Sequence, residues 1–122
     1  MQPWIMIETG MVSGWADKMN IREELGKRML LFDGGLGSLL QARGLKPGEL
    51  PETWNLSKPE ELLAIHKEYL EAGADIILAN TFGANRFKYD HLQEIVEAAV
   101  KNAKKAAEEC GRNAYVALDL GR

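Results

Sequence analysis

The sequence predicts an α/β chain in which about three parallel strands alternate with helices. Three short apolar runs predict the strands, at 29–32, 75–79 and 114–118. The second run is apolar without alternation, as expected of a parallel strand that is covered on both faces. A polar residue or cluster follows each run directly, and ligands of parallel sheets bind at the carboxyl ends of the strands. The three polar stretches therefore point to one site at one rim of the sheet.

The composition fits a single domain that buries a core. The chain has 122 residues, of which 46% are hydrophobic and 27% charged, so a disordered chain is excluded. A net charge of -3 argues against a nucleic-acid partner. No apolar run approaches the roughly 20 residues that span a membrane, which argues against a membrane partner. A single cysteine excludes a disulfide framework and a zinc knuckle, and it favours a cytoplasmic location.

Residues 1–18 differ from the rest of the chain because their apolar residues follow no clear helical or strand period. A secretory signal peptide would begin with basic residues, whereas the first charge here is Glu8. The segment is predicted to be a poorly ordered tail or an over-long start, with Met19 as a candidate initiator. The alternative is an arm that covers exposed apolar surface. The domain proper is predicted over 19–122.

The first polar cluster is Asp33-Gly34-Gly35, which ends the first predicted strand and leads into a helix over 35–43. A short helix capped by Asn20 precedes that strand. Glycines have no Cβ, so their backbone N–H groups can approach a small polar or anionic ligand closely. The alternative is a tight turn in which the glycines serve only the backbone, since a short glycine-rich loop is a weak signal.

The middle of the chain is predicted to hold a loop and a helix. Proline and glycine predict a loop over 45–56, and a loop of that length is expected to be functional or well packed. Ser57 begins a helix with a capping box, and Gly73 ends it. His66 lies on or beside the packed face of this helix, which favours a structural histidine over a catalytic one.

The second polar cluster, Asn80-Thr81-Phe82, mixes hydrogen-bonding side chains with a large apolar one. That mixture suits a small ligand with one apolar and one polar part. A long helix is then predicted from Asp90 to Cys110. Cys110 falls on its apolar stripe, as a small buried residue rather than a ligand or nucleophile. Asp119 stands at the end of the third strand.

Three strands leave two architectures open. An eight-stranded barrel typically takes about 250 residues. A three-stranded parallel sheet alone would expose two edges and its apolar faces. The chain is therefore predicted to be either a small open sandwich or the opening part of a barrel.

A family resemblance favours the barrel. Four runs carry it in order: Leu31-Phe32-Asp33-Gly34-Gly35-Leu36-Gly37-Ser38, Pro51-Glu52-Thr53-Trp54-Asn55-Leu56, His66 to Tyr69 with Ala72-Gly73-Ala74-Asp75-Ile76-Ile77, and Asn80-Thr81-Phe82-Gly83-Ala84-Asn85-Arg86. Over about 19–121 the chain resembles the homocysteine S-methyltransferase, or homocysteine-binding, domain family. The closest resemblance is to the amino-terminal module of cobalamin-dependent methionine synthases. The resemblance implies a (β/α)8 TIM barrel, of which this chain would hold the first three strands.

The resemblance also implies the chemistry. Members of this family move a methyl group onto the sulfur of homocysteine, which a zinc ion holds as a thiolate and so makes nucleophilic. Homocysteine is then the small-molecule substrate, and Asp33, Gly34 and Gly35 would hold its amino-acid end. Asn80, Thr81 and Phe82 would form the second wall of the pocket, with Asp119 at the end of the third strand.

The zinc cysteines of the family come late in the barrel, after strands that this sequence does not contain. No catalytic residue and no metal ligand is therefore predicted here, and the chain is expected to be a truncated module, inactive alone. Zinc belongs to the full-length family, whereas cobalamin and methyltetrahydrofolate would enter through other modules. Related barrels also use S-methylmethionine or betaine, and they read the donor elsewhere.

Two alternatives stay open. One is a non-catalytic binding or assembly module that self-associates, or pairs with a complementary chain, through the exposed edges of an open barrel. The other is an unrelated phosphate-binding α/β domain that uses Gly34–Gly37. This loop lacks the lysine and spacing of a P-loop, and the chain lacks the acidic residue of a dinucleotide fold.

Overall fold

The computed structural model describes residues 4–9, by their backbone, and residues 21–120. Strand β1 (Trp4–Thr9) comes first, followed by the one-turn helix α1 (Ile21–Glu24) and helix α2 (Gly37–Ala42). A 3₁₀ turn (Pro51–Thr53) leads into helix α3 (Trp54–Ser57). Half of the loop predicted over 45–56 is therefore helical, because Trp54 is buried and draws this segment onto the core.

The second half of the chain alternates helices and strands as predicted. Helix α4 (Pro59–Glu71) leads to strand β2 (Ile76–Leu78), and helix α5 (Leu92–Cys110) leads to strand β3 (Tyr115–Leu120). Gly111 ends α5 with a φ of 65°, a left-handed conformation that glycine adopts without strain. Among the described residues, no helix is long and apolar enough to cross a bilayer.

The sheet has the strand order β1-β3-β2 and is mixed. Strand β2 pairs with β3 in parallel, with Ile76 opposite Tyr115 and Leu78 opposite Ala117. This pair confirms the α/β class and the parallel pairing predicted from the sequence. Strand β1 pairs with the other edge of β3 in the antiparallel direction, with Trp4 opposite Leu120.

Strand β1 lies within residues 1–18, for which the sequence predicts a poorly ordered tail or an over-long start, with an arm over apolar surface as the alternative. The structure differs there because the strand depends on a partner more than a hundred positions away, which a local period cannot reveal. The remainder of that segment, including Met19, lies outside the described residues, as does the predicted cap Asn20.

The strand predicted at 29–32 is reduced to one parallel bridge, between Phe32 and Ile76. The segment does run beside β2, since the Asp33 N–H donates to the Ile76 carbonyl at 2.9 Å. The backbone pairing ends there because carboxylate side chains accept hydrogen bonds from the neighbouring N–H groups. The Asp33 carboxylate accepts from Leu78 N–H at 3.0 Å, and the Asp75 carboxylate accepts from Leu31 N–H at 3.0 Å.

Two predicted helix caps are wrong. Helix α4 begins after Lys58 without a side-chain cap, because the Ser57 hydroxyl donates back to the Thr53 carbonyl at 3.1 Å. Helix α5 begins after His91 rather than Asp90, again without a side-chain cap.

The core lies on both faces of the sheet. One cluster joins β2, β3, α4 and α5, with Ile77 and Val116 at its centre. The opposite face carries Ile76, Tyr115 and Ala117, as the alternation of side chains along a strand requires. A third cluster around Trp54 joins α2, α3 and α4 and supports the loops at the carboxyl ends of the strands.

Candidate functional site

A cleft of about 300 Å³ opens where the 30–33 segment, β2 and β3 end. Its lining comes from the three stretches that follow these strands and from the segment before α3. The lining residues are Asp33, Gly34, Gly35, Leu36, Gly37, Leu40, Pro51, Glu52, Leu78, Ala79, Asn80, Phe82 and Asp119. The convergence of the three stretches at one rim, predicted from the sequence, is thus present.

Six of the seven predicted site residues line this cleft; Thr81 does not. Thr81 is buried, and its hydroxyl donates to the Asp119 carbonyl at 2.8 Å and accepts from the Asp119 N–H at 3.1 Å. It therefore ties the end of β2 to the end of β3 and holds the two walls together. A binding role for any of the seven stays a prediction at this point.

Three carboxylates line the cleft, and two of them, Asp33 and Asp119, keep an oxygen without a hydrogen-bond partner among the described residues. Asp33 Oδ2 accepts from Leu78 N–H at 3.0 Å, whereas Oδ1 is shielded from solvent and accepts from no described group. Asp119 Oδ1 is in the same situation. A shielded carboxylate oxygen without a donor is unfavourable, so both groups are suited to a ligand that brings hydrogen-bond donors.

Burial raises the pKa of the Asp33 carboxyl to about 6, and the hydrogen bond from Leu78 N–H opposes that rise only in part. At neutral pH the group is therefore mostly ionised, and it becomes neutral in mildly acidic solution. A cationic ligand would favour the ionised form. The site consequently offers a negative charge whose value depends on pH near 6.

The side chain of Tyr69, on α4, contacts the loop that contains Gly34 and Gly35. The Tyr69 hydroxyl donates to the Gly35 carbonyl at 2.6 Å. A Cβ on Gly34 would lie 2.9 Å from the same hydroxyl oxygen, whereas a Cβ on Gly35 would meet only Ser38 Oγ at 3.8 Å. Gly34 is thus required by the packing of Tyr69, and Gly35 leaves open space at the cleft.

A chain of asparagine side chains fixes the second wall. Asn80 Nδ2 donates to the Pro51 carbonyl and to Asn55 Oδ1, both at 3.0 Å. Asn55 Nδ2 donates to the Asn80 carbonyl at 2.9 Å and to the Ile95 carbonyl at 3.2 Å. The Asn80 side chain is therefore committed to the protein, and Asn80 shapes the cleft rather than offering a free amide.

Several residues of the cleft wall are not predicted from the sequence. Glu52 and Pro51 line the cleft from the 3₁₀ turn, and Leu36, Leu40 and Leu78 supply apolar surface. The run around Glu52 was one of the four that carried the family resemblance, which was the available signal. Glu52 lies beside Gly83 and accepts from its N–H, a contact that sequence spacing could not predict.

Two other candidate residues lie away from the cleft. His66 is 1% exposed and does not line it, in keeping with the structural role predicted. Cys110 is half-buried on α5 and packs against the core cluster of the sheet, so it is less buried than predicted. Within 21–120, no three His, Cys, Asp or Glu side chains come together as a metal site would require.

A protein-family model described as homocysteine S-methyltransferase matches residues 30–122 of this chain. The chain is 30% identical to methionine synthase of Mycobacterium tuberculosis (strain ATCC 25618 / H37Rv) over 117 residues, which cover 84% of the chain and 10% of that protein. It is 31% identical over 104 residues to methionine synthase of Mycobacterium leprae (strain TN), covering 74% and 8% respectively. The chain thus spans about a tenth of the length of these curated relatives.

Solved structures give the same comparison in three dimensions. The oxidised form of the homocysteine methyltransferase MmuM from Escherichia coli aligns with a TM-score of 0.60 and 25% identity. The alignment covers 73% of this chain and 34% of that one. The apo form of the same enzyme aligns with a TM-score of 0.55 and 27% identity, covering 74% and 32%.

Proposed function

The chain belongs to the homocysteine S-methyltransferase family, as its sequence indicates, and from that premise we propose that its cleft binds the amino-acid end of homocysteine. The observation that carries this proposal is the pair of cleft carboxylates, Asp33 and Asp119, each with a shielded oxygen that lacks a donor. The α-ammonium group of an amino acid supplies donors and a positive charge to both. Charge-assisted hydrogen bonds of this kind are the strong ones.

The rest of the cleft supports the same ligand. The backbone of Gly34 and Gly35 lies beside Asp33, where N–H groups suit the ligand carboxylate. Leu36, Leu40 and Phe82 offer apolar surface for the CH₂–CH₂–S chain. Phe82 is 70% exposed, so a bound side chain would remove apolar area from water. Asn80 and Thr81 contribute by holding this wall in place.

The proposed reaction of the complete protein is methyl transfer to the homocysteine sulfur, which gives methionine. We further propose that the chain forms the first three strands of a (β/α)8 barrel. The support is the parallel order of the 30–33 segment, β2 and β3, which lie side by side in chain order. The likeness to MmuM supports the same architecture.

The zinc ion that the family implies does not fit the described residues. Cys110 lies in the packing between α5 and the sheet, away from the cleft, and no other cysteine is present in the chain. The acidic residues of the cleft form no group of three that could hold a metal ion among the described side chains. No chemical step is therefore assigned to a metal here, and the proposal for this chain is substrate binding without turnover.

Calorimetric titration of the 122-residue chain with L-homocysteine at pH 7.5 tests the proposal. Binding should weaken about tenfold or more in Asp33→Asn, which keeps the acceptor for Leu78 N–H but removes the charge. The matched control is Asp90→Asn, a carboxylate beyond the cleft. 4-Mercaptobutanoate, which is homocysteine without its amino group, should bind as weakly to the wild type as homocysteine binds to Asp33→Asn.

The affinity measured in this titration should also depend on pH, and the proposal fixes the direction of the change. Since burial raises the pKa of Asp33 to about 6, affinity for the ammonium ligand should be nearly constant between about pH 7 and 8 and fall by up to tenfold per pH unit below 6. The Asp33→Asn variant should lack this fall. Equal affinity for L-homocysteine and 4-mercaptobutanoate at pH 7.5, where Asp33 is ionised, would exclude the proposed binding of the ammonium group to Asp33.

One observation favours a second candidate, an assembly role through the 29–32 segment at the edge of the sheet. Met29, Leu31 and Phe32 beside β2 are 79%, 48% and 50% exposed, which is unusual for large apolar residues next to one another. Sedimentation equilibrium of the wild type against Phe32→Lys tests this role. Association that disappears in the variant supports it, and two identical monomers exclude it.

A further inference from the structure

Glu52 is a buried carboxylate of the cleft wall, and no salt bridge to it is present among the described residues. It is 4% exposed and lies in the 3₁₀ turn before α3. Its Oε1 accepts from Gly83 N–H at 2.5 Å, and its Oε2 accepts from the Tyr89 hydroxyl at 2.6 Å. A buried charge is costly unless hydrogen bonds satisfy it, so these two contacts explain how the group is tolerated.

Gly83 fits this carboxylate closely. A Cβ on Gly83 would lie 2.7 Å from Glu52 Oε1, closer than real Cβ atoms approach such a neighbour, and a tight 3.3 Å from Cδ. Gly83 also closes a turn with Thr81, since Ala84 N–H donates to the Thr81 carbonyl at 3.0 Å. The turn and the carboxylate are therefore matched in shape as well as in hydrogen bonding.

This turn carries Phe82, the exposed apolar group of the cleft. Thr81 attaches one side of the turn to Asp119, and Glu52 attaches the other side through Gly83. Phe82 itself is 70% exposed, so its own packing contributes little to its position. The two anchors that flank it decide where this wall stands.

Both oxygens of Glu52 are used by Gly83 and Tyr89, which leaves the carboxylate committed to the protein although it lines the cleft. A wall that is ordered before the ligand arrives lowers the ordering cost of binding. The role that follows from this geometry is indirect.

We propose that Glu52 is a positioning residue for the ligand cleft: through its hydrogen bond to Gly83 it fixes the turn that places Phe82 against the bound side chain. The proposal rests on the proposed function for the identity of the ligand, L-homocysteine. It assigns to Glu52 a role through geometry and not through its charge.

Three variants and one control separate geometry from charge. Glu52→Gln keeps an oxygen acceptor for Gly83 and a group that reaches Tyr89, so its affinity for L-homocysteine should stay within about threefold of wild type. Glu52→Ala removes both contacts and should weaken binding about tenfold or more. Glu52→Asp keeps the charge but shortens the side chain, and it should behave like Glu52→Ala. The control is Glu49→Gln, a nearby carboxylate that bonds to Lys46 N–H and Trp54 Nε1 outside the cleft, which should bind as wild type.

A second readout in the ligand-free protein is the Gly83 amide, followed by NMR hydrogen exchange. Its exchange should be slow in the wild type, Glu52→Gln and Glu49→Gln, and at least tenfold faster in Glu52→Asp. The Leu78 amide, bonded to Asp33, should exchange equally in all of them. If Glu52→Ala does not fold, the Asp variant carries the test.

The outcomes separate a positioning role of Glu52 from a role of its charge. Wild-type affinity in Glu52→Asp, or an unchanged Gly83 amide, overturns the positioning role. Loss of binding in Glu52→Gln together with a protected Gly83 amide also overturns it, because charge would then be what matters. A wild type that does not bind L-homocysteine refutes the proposed function instead, and the Gly83 exchange rates still decide whether Glu52 holds the turn.

Discussion

At the scale of single residues, the imidazole of His66 is a buried polar group that no hydrogen bond satisfies among the described residues. It is 1% exposed, and both ring nitrogens lack a described partner. Burial lowers the pKa of this histidine to about 4, so the folded protein keeps it neutral where an unfolded chain would protonate it. The buried imidazole therefore makes the stability of the fold depend on pH.

His66→Leu tests this effect through its pH dependence. Between pH 6.5 and 4 the unfolded chain binds a proton that the folded chain does not, so wild-type stability falls with acidity on this account. Relative to wild type, the variant should gain about 2 kcal/mol on going from pH 7 to pH 5. Urea unfolding at the two pH values measures the difference. If the unfolding free energies of His66→Leu and wild type differed by the same amount at pH 7 and pH 5, the lowered pKa of His66 would be contradicted.

The comparison with wild type is necessary because Asp33 opposes His66. The pKa of Asp33 is raised by burial to about 6, so the folded chain binds more protons than the unfolded chain between pH 3.8 and 6. This group therefore adds stability as the pH falls through that window, and it loses that contribution as the pH rises through 6. A wild-type curve alone would contain both slopes.

Gly34 gives a second residue-scale prediction. In Gly34→Ala the new Cβ would meet the Tyr69 hydroxyl at 2.9 Å and disturb its hydrogen bond to Gly35, so unfolding free energy should drop by about 1–2 kcal/mol. The loss should shrink in a Tyr69→Phe background, where the hydroxyl is absent. Gly37→Ala is the control, because its Cβ would meet nothing within 4 Å. Equal losses in both backgrounds would exclude the contact as the cause.

At the scale of elements, Asn55 is the link between α3, the end of β2 and the start of α5. The side-chain nitrogen of Asn55 donates to the backbone carbonyls of Asn80 and Ile95, and the side-chain oxygen of Asn55 accepts from Asn80 Nδ2. The side-chain nitrogen of Asn102, on α5, donates to the backbone carbonyl of Asn55 at 3.1 Å. A short helix of four residues is thereby held by side-chain amides.

Asn55→Ala should lower the unfolding free energy by about 2–4 kcal/mol, since it leaves buried carbonyls without donors. Denaturant unfolding measures this loss. The exposed Asn113→Ala serves as the control and should stay within about 0.5 kcal/mol of wild type. A loss in Asn55→Ala no larger than in the control would mean that the amide chain is not a stabilising link.

The elements also separate what a sequence reveals from what it hides. Helix α5 was predictable because its apolar stripe repeats over 19 residues and Gly111 ends it. The cap at Ser57 was not, because the Ser57 hydroxyl donates to the Thr53 carbonyl at the start of α3, a helix that the sequence does not predict. The site behaves in the same way. Its carboxylates follow strand ends and could be foreseen, whereas the contact of Glu52 with Gly83 could not be predicted from sequence spacing.

At the scale of the whole molecule, β1 covers the edge of β3 that a further parallel strand would need in the proposed barrel. An uncovered edge presents unpaired N–H and C=O groups that invite other strands. Deletion of residues 1–9 should therefore shift sedimentation at about 0.1 mM towards dimers or larger species. Deletion of residues 1–3 alone is the control. A truncated chain that sediments like the full chain would show that β1 does not protect this edge.

The pairing of β1 with β3 also brings the two ends of the described chain side by side, with Trp4 opposite Leu120. Directly opposed residues of antiparallel strands lie about 5 Å apart between Cα atoms, so a short peptide would suffice to join them. The backbone can in this sense be treated as a ring. New ends at the exposed turn at Gly48 would then give a circular permutant with the same strand neighbours.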